Sequence, residues 1–162
     1  MNIDGFHLHL NSMGEGKGIG TYFKSEKMFP KVDVAKPKAQ ISVFSSPELV
    51  LVNLYRSQGM DNRDLANELR ILINTDNFTI ICGDFNLCYI DDRNNEVTSM
   101  LEQAGFTQMV QEATHFKGGH IDHVYSNHNP EKFKVAISLY SPYYLCRDHD
   151  AICITITRIP SK

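Results

Sequence analysis

The fold of this chain is decided by the stretch Phe78-Thr79-Ile80-Ile81-Cys82-Gly83-Asp84-Phe85-Asn86. It begins as a continuous, mainly apolar run that stops at a glycine, which is typical of a buried strand. Asp84 and Asn86 follow at alternate positions, and alternate side chains of an extended backbone point the same way. We therefore expect a carboxylate and a carboxamide to project together from the carboxyl end of a buried strand, where α/β enzymes usually keep their chemistry.

Two acid–histidine pairs follow this strand. Asp122-His123 lies inside His120-Ile121-Asp122-His123-Val124-Tyr125, and Asp148-His149 lies inside Arg147-Asp148-His149-Asp150-Ala151-Ile152. Such residue types suit phosphodiester hydrolysis, because carboxylates activate water and hold a cation while an amide or imidazole donates to the phosphate. Asp148 is a hard oxygen ligand suited to Mg²⁺ or Mn²⁺. His149 can donate to a phosphate oxygen if another group, for which Asp122 is a candidate, holds its ring.

Each of these residues also has a structural interpretation, which the sequence leaves open. Asp84 could cap the turn after its strand, and Asn86 is a common turn residue. Asp122 lies in an apolar strand, where a carboxylate needs a hydrogen-bonding partner whether or not it takes part in catalysis. Residues 148–150 could form a solvated loop, and Tyr55 could be a core or rim aromatic. The functional interpretation therefore depends on whether these groups meet at one cleft.

Length and composition indicate one globular domain that spans residues 1–162. Hydrophobic residues make up 42% of the chain and charged residues 22%, close to the globular average, which argues against wholesale disorder. The net charge of −3 gives no global basic field to attract nucleic acid, although bound cations can offset phosphate charge. No apolar run approaches the roughly 18 residues of a membrane helix, and no signal peptide is recognisable. We expect no membrane contact.

Other metal or phosphate motifs are not supported. In the glycine-rich run 14–20, Lys17 is followed by Gly18, where a phosphate-binding loop has serine or threonine, so a flexible hairpin turn is favoured. His120 and His123 face opposite sides of a strand, which argues against a zinc cluster. No CxxC spacing links the cysteines, which are Cys82, Cys88, Cys146 and Cys153. We interpret them as free thiols of an intracellular compartment, nuclear or cytoplasmic.

The apolar pattern predicts a strand-rich chain with two helices. Asp61 or Asn62 opens the first helix, whose apolar residues recur at helical spacing at positions 65, 69, 72 and 73. Asn94 or Asn95 opens the second helix, which ends at Gly105. Strands are predicted at residues 6–10, 18–23, 41–45, 49–55, 78–82, 120–126, 134–139 and 151–157.

Four motifs in this order resemble the endonuclease/exonuclease/phosphatase superfamily. They are Val52-Asn53-Leu54-Tyr55-Arg56-Ser57, Ile81-Cys82-Gly83-Asp84-Phe85-Asn86, His120-Ile121-Asp122-His123-Val124 and Arg147-Asp148-His149-Asp150-Ala151-Ile152. This group of Mg²⁺-dependent phosphodiesterases contains abasic-site endonucleases, DNase I and retroelement endonucleases. The resemblance runs from about Asn2 to the C-terminus. Tyr55-Arg56-Ser57 and the run Gly18-Ile19-Gly20-Thr21-Tyr22 are most similar to copies found in mobile elements, including those associated with helicases.

The resemblance implies an α/β fold in which a two-sheet sandwich is flanked by helices in four layers, α/β/β/α, with the active site at one edge of the sheets. By matching position, Asp84 would orient or deprotonate the attacking water and Asn86 would bind the phosphate. Asp122 would orient His149, which would contact the scissile phosphate. The remaining implied roles are metal binding by Asp148, a position beside the phosphate or leaving group for Tyr55, and contact with the substrate backbone for Arg56.

Two departures from the family pattern bear on activity. The family's first strands, with a metal-site asparagine and glutamate, would precede Met1, so the chain resembles a member shortened at its N-terminus. Arg147 stands where a serine is usual, next to the implied metal ligand. A partner or a longer product, for example one fused to a helicase or reverse transcriptase, could supply the missing segment.

Three functions stay open at this point. The first is divalent-cation-dependent cleavage of DNA by a mobile-element endonuclease. The second is a catalytically inactive remnant that keeps the fold as a binding or structural module. The third is hydrolysis of phosphates on lipid or inositol headgroups. Tyr55-Arg56-Ser57 and the lack of an apolar membrane-binding patch in the sequence favour DNA over lipid.

Overall fold

The computed structural model describes residues 4–12, 18–23, 28–73, 76–90, 94–140 and 148–160. These parts of the chain form strands and two helices in a mixed order. The elements are β1 (His7–Ser12), β2 (Gly18–Phe23), β3 (Phe29–Lys36), β4 (Ala39–Ser45), β5 (Val50–Arg56), α1 (Asn62–Leu72), β6 (Thr79–Asp84), α2 (Glu96–Gln103), β7 (Thr107–Gln108), β8 (Asp122–Ser126), β9 (Phe133–Tyr140) and β10 (Ala151–Arg158).

A mixed sheet of six strands forms the centre, in the order β3-β4-β5-β6-β8-β7. β5 and β6 are parallel, because α1 carries the chain back between them, and the other neighbours are antiparallel. The remaining strands form two antiparallel hairpins, β1 with β2 and β9 with β10. The carboxyl ends of β5 and β6 therefore meet the amino end of β8 at one edge of the sheet.

Both helices pack on one face of this sheet. Leu65 and Leu69 of α1 and Leu101 of α2 are fully buried, in one apolar cluster with Ile41 of β4 and Val52 of β5. The helical spacing of the leucines on α1 is the reason that one side of the helix can be buried while the other stays polar.

The helices begin where capping side chains satisfy their first N–H groups. Asp61 accepts a hydrogen bond from the backbone N–H of Arg63 at the start of α1. Asn95 accepts from two backbone N–H groups at the start of α2. Each cap is one of the two residues predicted for its helix, because aspartate and asparagine satisfy the otherwise unpaired N–H groups of the first turn.

The two hairpins cover the opposite face of the sheet. The Phe44 ring of β4 lies 5.3 Å, centroid to centroid, from both His9 of β1 and Phe23 of β2. β9 contributes Ile137 to a second apolar cluster around Ile80 of β6. Helices, central sheet and hairpins form successive layers, which confirms the predicted α/β sandwich. Within the described ranges, helices lie on one side only, so the second helical layer of the four-layer expectation is not seen there.

Most predicted strands are present, several with ends shifted by one or more residues, and β2 has the predicted bounds. Two strands were not predicted, β3 and the short β7. β3 is an exposed edge strand in which seven of eight residues face solvent, so it lacks the apolar run that marks a strand. The glycine-rich turn at 13–17, Cys146 and Arg147 lie outside the described residues. The three other cysteines carry free thiols, as predicted: Cys82, Cys88 and Cys153.

No helix in the parts of the chain described above is long and apolar enough to cross a membrane. The longer one, α1, has 11 residues and one polar face.

Gly83 allows β5 and β6 to approach each other closely just before β6 ends. Its backbone φ is +140°, and a Cβ built on it would lie 1.8 Å from the carbonyl oxygen of Leu54 on the neighbouring strand. Only glycine fits this close approach of β5 and β6. The close approach occurs one residue before Asp84, so the glycine of the motif shapes the sheet edge at which the polar groups lie.

Candidate active site

Three neighbouring strands place Tyr55, Asp84 and Asp122 side by side. Tyr55 is the register partner of Asp84 between β5 and β6, and Asp84 is the partner of Asp122 between β6 and β8. Register partners project from the same face of a sheet. The neighbours of Tyr55 on β5, Leu54 and Arg56, are buried on the helix side, so the three side chains lie on the hairpin side.

Asn86 is held against Asp84 by a tight turn. Its φ is +46°, so the backbone leaves the extended conformation after β6. The N–H of Asn86 donates to Asp84 at 2.8 Å, and its side-chain amide donates to the other Asp84 oxygen at 3.0 Å and to the carbonyl of Arg56 at 2.7 Å. The two side chains meet as expected, but through an Asx turn in place of a continued strand.

The environment of Asp84 disfavours its charged form. Burial, the largest influence, raises the pKa of this carboxyl above its ordinary value. The N–H of Asn86 lowers the pKa, the negative charge of Asp122 raises it, and His149 and His115 lower it, with a net rise. A carboxylate with a raised pKa is better suited to accept a proton from water than one at its ordinary value.

Asp122 and His149 form a hydrogen-bonded dyad. Nδ1 of His149 lies 2.8 Å from Oδ2 of Asp122. The hydroxyl of Thr114 donates to the same carboxylate oxygen at 2.7 Å and accepts the N–H of Asp122 at 3.1 Å. The partly buried Asp122 thus has two donors, which satisfies the requirement that a carboxylate in an apolar strand be hydrogen-bonded.

The segment that carries His149 is fixed by pairing with residues 114–116. The N–H of Phe116 donates to the carbonyl of Asp148 at 2.9 Å, and the N–H of Asp150 donates to the carbonyl of Thr114 at 2.7 Å. His115 and His149 are partners in an isolated antiparallel bridge. Residues 148–150 are therefore tied to the loop before β8 and are not the free solvated loop of the alternative interpretation.

The negative surroundings of His149 favour its protonated ring. Partial burial, the largest single influence, opposes the charge. The hydrogen bond to Asp122 and the charges of Asp122, Asp84 and Asp148 outweigh it, and together they raise the pKa of His149 above 6.5. The ring is therefore protonated over a wider pH range than a free histidine, as a donor to phosphate must be.

Arg56 does not lie where the predicted contact with a substrate backbone requires. It is 5% exposed, and its guanidinium donates to the carbonyls of Phe85 and Asn86 at 3.1 and 3.0 Å. It also donates to the carbonyl of Met60 and the side chain of Asn62. An arginine next to a site residue projects from the opposite face of the strand, so the contact with a substrate backbone stays a prediction that this burial does not support. The guanidinium ties the loop after β6 to the start of α1.

Two groups of side chains could hold a metal ion. Asp84, Asp122 and His149 form one group and His115, Asp148 and His149 the other, with the ligand atoms of each group within 4.8 Å of one another. Neither group contains a glutamate among the residues that the structure describes. Carboxylate oxygens suit a hard divalent cation. The shared His149 places both groups at one site at the sheet edge, which we call the cleft.

The structure brings together the five groups on which the functional interpretation depends. Asn86 contacts Asp84, and Asp84 shares a group with Asp122 and His149, which in turn shares one with Asp148. Tyr55 neighbours Asp84 in register. The individual roles assigned to these residues stay predictions.

Sequence reasoning missed Thr114 and His115. The sequence analysis assigned neither residue to the site. Both act through contacts with residues that lie 8 to 34 positions further along the chain. Such pairing leaves no periodic or spacing signal in a single sequence, so nothing in the pattern could have identified them.

Residues 5–148 match the Endonuclease/Exonuclease/phosphatase family, and the chain therefore belongs to this family. The match covers all elements from β1 to β9 and most of the residues at the cleft.

Several solved structures have a similar fold. The endonuclease domain of TRAS1, a telomere-specific non-LTR retrotransposon, is 12% identical with a TM-score of 0.67, over 96% of this chain and 80% of that one. An AP endonuclease from Archaeoglobus fulgidus is 15% identical with a TM-score of 0.63, over 95% and 79%. CdtB, the biologically active subunit of cytolethal distending toxin, is 14% identical with a TM-score of 0.62, over 93% and 66%.

No curated protein sequence matches the chain. At these identities the structural likenesses show the fold alone. The predicted superfamily is confirmed by the family match over residues 5–148.

Proposed function

We propose that this protein is a divalent-cation-dependent phosphodiesterase that cuts a DNA backbone. The observation that carries the proposal is the hydrogen bond between His149 and Asp122 beside the carboxylate of Asp84, at the edge of three neighbouring strands. An imidazole donor and a separate carboxylate at one cleft supply the two proton-handling groups that phosphodiester hydrolysis requires.

The contacts support a separate role for each side chain of the site. Asp84, with its raised pKa, orients the attacking water and accepts its proton, and Asn86 fixes the carboxylate through two hydrogen bonds. The role of phosphate ligand predicted for Asn86 is then secondary to this positioning. Asp122 holds His149 so that its other nitrogen contacts the scissile phosphate. Tyr55 lies one strand away from Asp84, beside the phosphate or the leaving group.

The donor set fits Mg²⁺ or Mn²⁺. The negative charge of Asp122 contributes to the raised pKa of Asp84, and a cluster of three carboxylates favours a divalent cation nearby. Asp148 presents an exposed carboxylate to the same cleft. When bound, the cation would neutralise charge that develops on the phosphoryl oxygens.

DNA is the proposed substrate, and a mobile element the proposed source. Support comes from the similarity to the retrotransposon endonuclease domain and from the abasic-site endonuclease fold. We propose one domain over residues 1–162, which works within a longer product or together with a partner protein. The outer strand β10, paired on one side only among the described residues, is compatible with an added neighbour.

Neither metal group contains a glutamate from the described part of the chain, which favours one second candidate, an inactive remnant that keeps the fold as a binding module. Nicking of supercoiled plasmid with Mg²⁺ or Mn²⁺ tests both candidates. We expect nicking by the parent that disappears on chelation and in Asp84→Ala and His149→Ala. The matched control is His128→Ala, since His128 contacts Ser126 at the far end of β8. Absence of nicking by the parent, with no Mn²⁺ binding by calorimetry, would establish the inactive candidate.

A further inference from the structure

His115 belongs to none of the four motifs, yet it lies at the cleft. Its backbone is the bridge partner of His149, and the two imidazole rings lie 5.0 Å apart, centroid to centroid, at 83°. A ligand-capable nitrogen of His115 lies within 4.8 Å of such atoms of Asp148 and His149. His115 is also close enough to Asp84 to lower the pKa of that carboxyl.

The loop of His115 is ordered by backbone hydrogen bonds on both sides. The N–H of His115 donates to the carbonyl of Gly119 at 3.0 Å, and the carbonyl of His115 accepts from Gly118 at 2.8 Å. The next residue, Phe116, is tied to Asp148. The His115 ring is half-buried, so part of it stays accessible to a ligand.

A hydrogen bond from Lys117 indicates which ring nitrogen of His115 carries the proton in the neutral form. The backbone N–H of Lys117 donates to Nδ1 of His115 at 3.3 Å, so Nδ1 acts as an acceptor. In the neutral ring the proton then sits on Nε2, which is a donor. A metal-bound histidine normally uses its second nitrogen as an N–H donor, so the Lys117 contact opposes cation binding through Nε2 of His115.

The neutral rings of His149 and His115 therefore carry their proton on opposite nitrogens. His149 turns Nδ1 toward the carboxylate of Asp122, which requires a proton on that nitrogen. His115 has the opposite arrangement, with its proton-bearing nitrogen left for another partner. In the two metal-capable groups found among the described residues, the members other than the imidazoles are the carboxylates of Asp84, Asp122 and Asp148. An anion held beside them needs N–H donors, and Nε2 of His115 is one.

We propose that His115 is a second phosphate-binding imidazole, which donates from Nε2 to a non-bridging oxygen of a phosphate held against His149. This inference rests on the proposed function, because it assigns a further substrate contact at the same site. It extends the substrate-binding side of the cleft to the loop of residues 114–119, which precedes β8.

The test uses thymidine 5′-monophosphate and inorganic phosphate as probes, in the presence of chelator, with histidine ring signals followed by NMR. We expect both probes to shift the ring signals of His115 and His149 together, and to leave those of His128 unchanged. His115→Ala should weaken thymidine monophosphate binding by roughly tenfold, the effect of one lost hydrogen bond to a charged group. His115→Gln, which keeps an N–H donor, should recover part of that loss.

Two results would overturn the inference. One is a shift of His149 alone, with unchanged nucleotide affinity in His115→Ala. The other is loss of Mn²⁺ or Zn²⁺ affinity in His115→Ala while nucleotide affinity is kept, because the ring would then be a cation ligand. Thermal unfolding of each variant checks the fold. If the parent does not nick DNA but its His115 signal shifts, the proposed function is wrong and this inference stands. If the parent nicks DNA without a shift of the His115 signal, this inference is wrong and the proposed function stands.

Discussion

Nδ1 of His149 lies 2.8 Å from Oδ2 of Asp122, although the two residues are 27 positions apart. The contact forms because residues 148–150 pair with 114–116, and Thr114 bonds the same carboxylate. One loop therefore fixes both partners of the dyad. The hydrogen bond orients the ring and favours its charged form, and this combination gives the first two predictions.

Asp122→Asn should lower the rate of plasmid nicking by about 100-fold or more. The amide keeps the size of the side chain but cannot attract a charged His149 ring, so the donor to phosphate is lost over most of the working pH range. Nicking rates at saturating Mg²⁺ provide the measurement. Thr114→Val, which removes one hydrogen bond and leaves the Asp122 charge, should have a much smaller effect. Equal rates for the parent and Asp122→Asn would contradict the orienting role.

Stability should depend on the protonation of His149. Because the pKa of His149 is raised above 6.5 in the folded state, the folded chain holds this proton more tightly than the unfolded chain does. The resulting stabilisation is fully present below pH 6.5, the ordinary value, and is lost as pH rises through the folded pKa. The melting temperature of the parent should therefore exceed that of His149→Gln by more at pH 6 than in the alkaline range.

If the difference in melting temperature between the parent and His149→Gln were larger in the alkaline range, burial would outweigh the acidic neighbours in its effect on the pKa of His149. His128→Gln serves as the control, since it removes a histidine that contacts Ser126 at the far end of β8, away from the acidic groups around His149.

Cation affinity should depend on Asp148. Asp148→Asn removes one negative charge from the cleft, and we expect Mn²⁺ binding by calorimetry to weaken by about tenfold. The exposed Asp64 of α1 lies away from the cleft, so Asp64→Asn should leave the affinity unchanged. If both variants bind Mn²⁺ as the parent does, Asp148 is not a ligand.

The fold was largely readable from the sequence, because its main determinants are local. β6 is a short apolar run closed by Gly83, and α1 combines a cap at Asp61 with apolar residues at helical spacing. β3 was missed because an exposed edge strand needs no apolar run. Its backbone is ordered by pairing with β4, which no pattern within residues 29–36 reveals.

The candidate site was readable only in part. Asp84, Asp122 and His149 were identifiable because their residue types occur in motifs typical of one family. Asn86 was expected near Asp84 because alternate side chains of a strand point the same way. That reason was wrong, because the φ of +46° at Asn86 ends the extended backbone. His115 came from long-range pairing, and Arg56 faces the opposite side of β5 from its neighbour Tyr55. These outcomes depend on tertiary packing, which sequence spacing does not encode.

The close approach at Gly83 gives a prediction on stability. Gly83→Ala should cost about 3–5 kcal/mol, because the added Cβ lies 1.8 Å from the Leu54 carbonyl oxygen and φ is +140°. Gly105→Ala is the matched control, with φ of +84° and nothing within 4 Å of its Cβ. It should cost only the left-handed strain, about 1–2 kcal/mol. Urea unfolding measures both, and equal losses would contradict the steric argument.

The buried guanidinium of Arg56 should contribute to the stability of the fold and not to substrate binding. It donates to the carbonyls of Phe85 and Asn86 and to the loop that opens α1. Arg56→Ala would leave these carbonyls without donors, at a cost of about 3 kcal/mol. Arg56→Lys should recover little of that loss, since an ammonium cannot reproduce the planar fork.

Arg70, exposed on α1 and bonded only to Asn67 in the described contacts, provides the control for Arg56. Arg70→Ala should change the free energy of unfolding by less than about 0.5 kcal/mol. Chemical unfolding and DNA binding should be measured on the same samples. If Arg56→Ala unfolds like the parent but loses DNA affinity, then the guanidinium reaches the substrate, and the structural role assigned here is wrong. Loss of stability with unchanged affinity of the folded fraction is the result expected from its burial.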